Sequence, residues 1–338
     1  MSEGPGLRAM ADLATPMSIR VGATLGLADH VAAGARTAEA IADRCSAHAP
    51  ALERLLLHWA WLGLLRRTTD GDYDLTELGG QLRSDHPAGR REWLDMTGSV
   101  GRGDLAFVEL MHTMTTGGSA YRARYGQDFW DDLGSDEGLR ASFDALMQRH
   151  VEADAARVVD AYPWTRHRTI VDVAGGGGAL LAKILRAHPG LDGVLVELAE
   201  PAARARATFD SADLRDRASV AVGSFFDPLP ARGDAYVLSA VLHDWDDESC
   251  RRILRTCRAA MTATDRLLVI EAVGQDGESV DPRMDLRMLA YTGGKERGVG
   301  ELAELAARAD LELVRTHPVP GSRYMAVVEL GPVGGQER

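Results

Sequence analysis

Four consecutive glycines, Gly175 to Gly178, at the end of a short β-branched run constrain this 338-residue chain more than any other feature. The stretch Thr169 to Leu180 reads TIVDVAGGGGAL. Ile170, Val171 and Val173 suit a buried strand, and Asp172 sits near its end. The glycines bring backbone up to a ligand where any Cβ would collide. A strand that runs through such a loop into a helix is how α/β proteins seat nucleotide-type cofactors. About twenty residues after the first glycine, GVLVELAE closes a second apolar strand on Glu197, an acid placed to accept hydrogen bonds from a ribose.

The loop alone leaves three readings open. A dinucleotide fingerprint needs glycine at its first, third and sixth positions, but counting from Gly175 gives Gly177 and Leu180, and counting from Gly176 gives Gly178 and Leu181. The third glycine is missing, which counts against an NAD dehydrogenase; a purely structural turn is the remaining bland possibility. An acid three residues ahead of the glycines, as Asp172 is, resembles the first motif of S-adenosylmethionine methyltransferases. Four further segments follow in order: VAVGSFFDPLP, DAYVLSAVLHDWDDE, RLLVIEAV and MDLRMLAYTGGKERG. The series resembles the class I O-methyltransferases of plant phenolic and bacterial aromatic polyketide biosynthesis, nearest in character to enzymes that methylate hydroxyls on anthracycline-type polyketides. YGQDFWDDL and RASFDALM extend the resemblance upstream, so that it covers roughly Met10 to Leu330.

Composition is that of a cytoplasmic enzyme. With 45% hydrophobic and 26% charged residues the chain can bury a sizeable core, and its net charge of −12 argues against nucleic acid, whose phosphates need a basic surface. The N-terminal MSEGPGLRAMADLATP has no apolar core of a secretion signal, and the longest apolar stretch, Trp59 to Leu65, is too short to span a membrane. Cys45, Cys250 and Cys257 fall on predicted helices without metal-type spacing and read as reduced thiols, the last two on one helix face.

Hydrophobic periods give the organisation. A helical pattern runs from Pro16 to Val31 and ends near Gly34; Thr37 caps TAEAIADRCSA, and APALERLLLHWAWLGLL supplies an apolar helix. RRTTDGDYDLTELG then outlines two short strands around a turn at Asp70 to Asp72, completing a winged-helix pattern. Helices continue from Glu92 to Tyr162, one of them over Asp136 to Val159. From His167 strands alternate with helices, the signature of a doubly wound parallel sheet. The fold class is therefore α/β: a Rossmann-like methyltransferase sheet preceded by a mostly α winged-helix module. The expected domains are 10–90 (winged helix), 91–162 (helical linker and lid) and 163–332 (catalytic). Winged helices often bind DNA, but the acidic balance disfavours that use. The resemblance implies instead that the module makes a homodimer, and that LELVRTHPV and SRYMAVVEL form a late antiparallel hairpin.

A sulfonium methyl is already activated, so the protein must align an acceptor oxygen and remove its proton. A phenol with a pKa of ~10 is mostly protonated at neutral pH, and a positioned base helps. His243, in VLHDWDDE, directly follows the predicted strand AYVLSAVL, at the edge where such sheets place ligands. Its bland reading is a helix cap. Glu271, ending RLLVIEAV, is placed to lie beside it and fix its tautomer. By resemblance, Glu296 in GGKERG is a second acid near the base. The catalytic candidates are thus His243, Glu271 and Glu296.

The resemblance also implies a cofactor set for S-adenosylmethionine, released as S-adenosylhomocysteine. Asp172, Ala174, Gly175 and Gly177 would hold the methionine end and Glu197 the ribose. Ser224 and Phe225 would flank adenine, and Ser239 and Arg140 would meet the amino or carboxylate groups. Arg140 also reads as a solvated helix charge. Ala174 replaces the family's commoner first glycine, Ser224 its usual aspartate, and Gly298 the threonine after its Glu-Arg pair. Phe129, Trp130, Phe143, Met147, Met288 and Tyr291 match acceptor-lining positions, where rings and thioethers suit a flat aromatic, although such residues are more often core. Asp244, Asp246, Asp247 and Glu248 read as helix-start acids rather than a metal site, and no metal is expected.

The expectation is an S-adenosylmethionine-dependent O-methyltransferase of a phenolic hydroxyl on an aromatic secondary metabolite, with no membrane or nucleic-acid partner. The nearest alternative keeps the fold and cofactor but hydroxylates or decarboxylates an aromatic polyketide. A more distant one is a winged-helix regulator that senses the cofactor, for which Arg54, Arg66 and Arg67 are the available basic residues.

Overall fold

The computed structural model describes residues 6–274 and 279–334, with Glu152 and Ala153 described in backbone only. The chain divides into two compact units, the first built from residues up to Phe107 with Asp131–Leu146, the second from Val108–Trp130 with everything from Met147 onward.

In the first unit, helices Ala14–Thr24, Leu27–Ala32, Ala38–Cys45 and Ala49–Trp61 precede a two-stranded antiparallel ribbon, β1 (Leu65–Arg67) and β2 (Tyr73–Leu75). Leu27, Ile41, Leu56, Trp59 and Tyr73 are fully buried at its centre. Each such apolar side chain contributes roughly 1.5–3 kcal/mol of burial. Thr37 caps its helix as expected, accepting from Ala40 N at 3.2 Å. The single pattern read over Pro16 to Val31 is two helices, because Gly26 adopts the left-handed conformation (φ +66°) that ends a helix.

The second unit carries a seven-stranded sheet. Its strands are β3 (Thr169–Val173), β4 (Asp192–Glu197), β5 (Ala218–Val222), β6 (Ala235–Ser239), β7 (Arg266–Ala272), β8 (Leu311–Pro318) and β9 (Met325–Pro332). They are ordered β5-β4-β3-β6-β7-β9-β8, with β3 to β7 parallel and the β8–β9 hairpin antiparallel. Along β3, Ile170 packs into the core on one face with Leu268 and Ile270, while Val171 and Val173 pack on the other with Leu267 and Val269. A strand buried on both sides explains the near-continuous apolar run. The chain leaves β3 towards β4 on one side and later returns as β6 on the other. Such a switch opens a crevice at the strands' carboxyl ends. Among the described residues no helix is long and apolar enough to cross a membrane.

Candidate active site

Two loops leave the carboxyl ends of the adjacent strands β3 and β6. After β3, Ala174 takes a left-handed conformation (φ +62°), and its N–H donates to Val196 O at 2.8 Å, tying the loop to β4. A side chain in that region costs roughly 1–2 kcal/mol, which is why glycine is commoner here. A Cβ on Gly175 would lie 2.2 Å from Asp172 Oδ2, so the loop can pass over this carboxylate only as glycine. Gly177, by contrast, faces open space. Glu197 braces the loop from the end of β4: its Oε2 accepts from Gly176 N at 3.0 Å and its Oε1 from Leu198 N at 2.7 Å.

Asp172 is 1% exposed, and among the described residues neither of its carboxylate oxygens accepts a hydrogen bond. Burial, reinforced by the charge of Glu197, pushes its carboxyl up to about 7. A buried carboxylate without a partner is costly unless a ligand supplies one. Such an orphan beneath a glycine loop, with a second acid at the next strand end, fits a cofactor that carries positive charge and an adenosine ribose.

The second loop is wired throughout. Ala240 is also left-handed (φ +54°) and leads into a single turn, Leu242–Asp244, before helix Asp247–Ala260. Asp246 caps that helix, accepting from Ser249 N at 2.7 Å, so His243 does not. Glu271 Oε1 accepts from Val241 N and Leu242 N at 3.0 and 2.9 Å, and its Oε2 lies 2.6 Å from His243 Nδ1. From the opposite side, the GGKER segment clamps the same turn. A Cβ on Gly294 would fall 2.2 Å from His243 O, and Lys295 N donates to that carbonyl at 2.9 Å. The buried Arg297 guanidinium donates to Leu242 O at 2.9 Å, to Trp245 O at 2.8 Å and to Asp247 Oδ1.

The half-buried imidazole sits among acids. Asp244 Oδ1 lies 3.5 Å from His243 Nε2. Burial alone would lower the histidine's pKa, but the charges of Glu271, Asp244 and Glu296 outweigh it and raise it to about 10. Asp244 is itself pushed up to about 6 by burial, against the pull of His243. Glu296 spends its hydrogen bonds elsewhere, accepting from Ser279 Oγ at 2.7 Å, and acts on the imidazole through its charge. Asp244 and Arg297 were missed by sequence reasoning. Spacing places Asp244 among the helix-start acids, which describes Asp246 but not a side chain turned towards Nε2. Arg297 had a signal, its place in the Glu-Arg pair.

The other predicted positions scatter. Ser224 Oγ accepts from Phe226 N at 3.1 Å, and Phe225 joins a ring cluster with Phe226 and Trp245. Ser239 ends β6 opposite Ile270. Arg140 and Phe143 belong to the first unit, where Arg140 Nε donates to Leu133 O at 3.4 Å. Phe129 and Tyr291 are both 4% exposed and pack together with Tyr121, ring centres 5.6 Å apart for the pair. Trp130 stacks edge-on against Phe129, while Met147 and Met288 are half-buried. Among the described residues no group of three histidines, cysteines or acids could hold a metal ion.

Comparison with known proteins identifies the family. The profile of the O-methyltransferase domain matches residues 107–312, and that of the O-methyltransferase dimerisation domain matches residues 7–84. The chain belongs to the O-methyltransferase family. This O-methyltransferase is 54% identical over 325 residues to the 2,7-dihydroxy-5-methyl-1-naphthoate 7-O-methyltransferase of Streptomyces carzinostaticus, covering 96% of the chain and 97% of that relative. It is 44% identical to an aclacinomycin 10-hydroxylase of Streptomyces purpurascens, over 91% of the chain and 84% of the relative. Among solved structures, an O-methyltransferase from neocarzinostatin biosynthesis, in complex with S-adenosylmethionine and 2-hydroxy-5-methyl naphthoic acid, superposes with a TM-score of 0.93 at 52% identity, covering 98% of this chain and all of that one. The O-methyltransferase is an S-adenosylmethionine-dependent enzyme of aromatic O-methylation with the expected Rossmann-like sheet and late hairpin.

Proposed function

We propose that the enzyme methylates a phenolic hydroxyl on a naphthoate-type aromatic acid of polyketide origin, with His243 as the proton acceptor. The observation that carries this reading is the 2.6 Å contact between His243 Nδ1 and a Glu271 carboxylate already fixed by two backbone amides. That contact leaves Nε2 as the nitrogen available to an acceptor. Glu296 adds charge and no direct bond. Asp172 and the loop of Ala174, Gly175 and Gly177 would hold the cationic methionine end, and Glu197 the ribose. Ser224, Phe225 and Ser239, all in the second unit, would serve the rest of the cofactor. Phe129, Trp130, Met147, Met288 and Tyr291 of the second unit would shape the acceptor site, Phe129 and Tyr291 as its packed backing rather than its open face. When bound, the cofactor supplies an activated methyl group; orientation and proton handling fall to these side chains.

The working unit in this reading is a cytoplasmic homodimer. Leu7, Met10, Leu13 and Trp61 of the first unit are 70–82% exposed, an apolar surface that a second copy would cover. In the same unit Arg66 pairs with Asp74 and Arg67 with Glu53, which leaves the winged module poorly equipped for DNA.

The test is calorimetric titration with S-adenosylhomocysteine, followed by mass spectrometry of hydroxynaphthoates incubated with S-adenosylmethionine. The expected result is binding and a product heavier by about 14 Da, one CH2. The similarity to a hydroxylase motivates the second reading. A gain of about 16 Da, one oxygen, would establish it instead.

A further inference from the structure

The segment Gly294 to Arg297 has a neighbour on each side, and its residues divide between them. Three of them hold the turn that carries His243. A Cβ on Gly294 would meet His243 O, Lys295 N donates to that carbonyl, and the Arg297 guanidinium donates to Leu242 O and Trp245 O. The half-buried Glu296 turns the other way, towards helix Pro282–Tyr291, which carries Met288 and Tyr291. Its Oε2 accepts from Ser279 Oγ at 2.7 Å and from Asp281 N at 3.4 Å, just ahead of that helix. The backbone returns the tie: Glu296 N donates at 2.9 Å to Oδ1 of Asp285, in the helix's first turn. Among the described residues no hydrogen bond joins Glu296 to His243. The far end of the helix is fastened separately. Gly293 takes a left-handed conformation (φ +77°), and Gly294 N donates to Met288 O at 3.1 Å. Ser119 Oγ donates to Tyr291 O at 2.7 Å and to Ala290 O at 3.1 Å.

We infer that Glu296 is a positioning residue for the acceptor and Arg297 a positioning residue for His243, so that this short segment sets the spacing between the acceptor wall and the catalytic turn. This rests on the reading of Met288 and Tyr291 as acceptor lining and of His243 as proton acceptor. The two ties between Glu296 and the helix start run in opposite donor directions, one through its carboxylate and one through its own N–H. Sliding the helix along the segment breaks both, and the carboxylate's bond to the Ser279 hydroxyl is the stronger, charge-assisted kind. Without Glu296 the helix stays pinned where it ends, at Ser119 and Gly293, while its first turn loses its anchor. Arg297 acts on the other side. Its planar fork spans the carbonyls of Leu242 and Trp245, so the turn between them cannot rotate without giving up a bond to a buried guanidinium. The two tasks have different kinetic signatures. A displaced acceptor wall weakens acceptor binding, whereas a displaced imidazole slows transfer within the bound complex.

The experiment uses the full-length enzyme and a hydroxynaphthoate that it methylates in the turnover assay. Calorimetry at saturating S-adenosylhomocysteine measures acceptor affinity, and single-turnover methylation at saturating acceptor measures the rate. Glu296→Ala removes the side-chain ties and should weaken the acceptor at least about tenfold. Glu296→Gln keeps an oxygen for Ser279 and Asp281 and should bring affinity back to within about threefold of the parent. Any slowing caused by the lost charge appears equally in both variants, so their difference reads the tie alone. Ser279→Ala leaves the charge in place and should weaken the acceptor about threefold to fivefold. Arg297→Lys, whose single ammonium cannot span both carbonyls, should slow the saturated rate at least about tenfold at near-parental affinity. Each variant is checked for parental S-adenosylhomocysteine affinity; if Glu296→Ala does not fold, Ser279→Ala carries the same test. Unchanged acceptor affinity in Glu296→Ala, an equal loss in Glu296→Gln, or loss of affinity rather than rate in Arg297→Lys overturns the inference and leaves the enzyme's function standing. Absence of methylated product from every hydroxynaphthoate tried with the parent enzyme overturns both.

Discussion

The loop after β3 and the loop after β6 end neighbouring strands, begin with an alanine in the same left-handed conformation, and differ in almost everything else. Beneath the first lies Asp172, buried and without a hydrogen-bond partner among the described residues. In the second, Glu271 alone satisfies two amides and an imidazole, and Arg297 takes up the Leu242 and Trp245 carbonyls on either side of His243 and Asp244. One corner keeps a buried acid without a partner among the described residues; the other has its acid bonded to backbone and imidazole in the ligand-free chain. On the proposed reading, the proton-handling geometry is built in advance, and the cofactor corner keeps a buried carboxyl that either a proton or a bound cation would neutralise. That arrangement places stability in one loop and affinity in the other.

The sharpest break of this contrast is functional. His243→Ala should lower single-turnover methylation by about a hundredfold to ten-thousandfold while S-adenosylhomocysteine binds as before. Parallel loss of binding would show that the two corners are not separable.

Next come substitutions that should move ligand-free stability in opposite directions. Asp172→Val removes an orphaned buried carboxyl and should stabilise the empty protein by about 1–2 kcal/mol while weakening S-adenosylhomocysteine at least about tenfold. Glu271→Leu strands two amides and should destabilise by about 3 kcal/mol. Urea melts measure both, and shifts of the same sign would erase the distinction. The pH dependence sharpens it. In the folded chain the Asp172 carboxyl is raised from 3.8 to about 7, so it holds its proton more tightly folded than unfolded. Its contribution is fully present below 3.8 and is lost as pH rises through about 7, a slope that Asp172→Val should flatten.

The smallest effect concerns the shared alanine conformation. Ala174→Gly relieves the left-handed side chain and should raise stability by about 1 kcal/mol net of backbone entropy, with cofactor binding unchanged. A loss of stability would mean that the strain is supported by packing rather than tolerated.

What was legible in the sequence follows from what a linear pattern can carry. Strand ends, the glycine loop and the pairing of His243 with Glu271 were readable, because periodicity places both residues at the carboxyl edge of adjacent strands. The winged ribbon was readable from its turn residues. Conformations belonging to one residue were not: Gly26 splits a continuous helical pattern, and the positive φ of Ala174 and Ala240 leaves no trace in hydropathy. Nor could spacing reveal that Asp244, one position after His243, turns to Nε2 while Asp246 caps the helix. Phe129 and Tyr291, read as pocket lining, lie almost wholly inside an aromatic cluster, which composition alone does not separate from a pocket wall.

The three-way grip of Glu271 also orders how such a site can diverge. A lineage drifting away from methyl transfer can discard the imidazole and keep its loop, because two of the carboxylate's three bonds hold backbone rather than histidine. Discarding the carboxylate first would unravel the scaffold along with the chemistry. Among descendants with new reactions, Glu271 should therefore outlast His243.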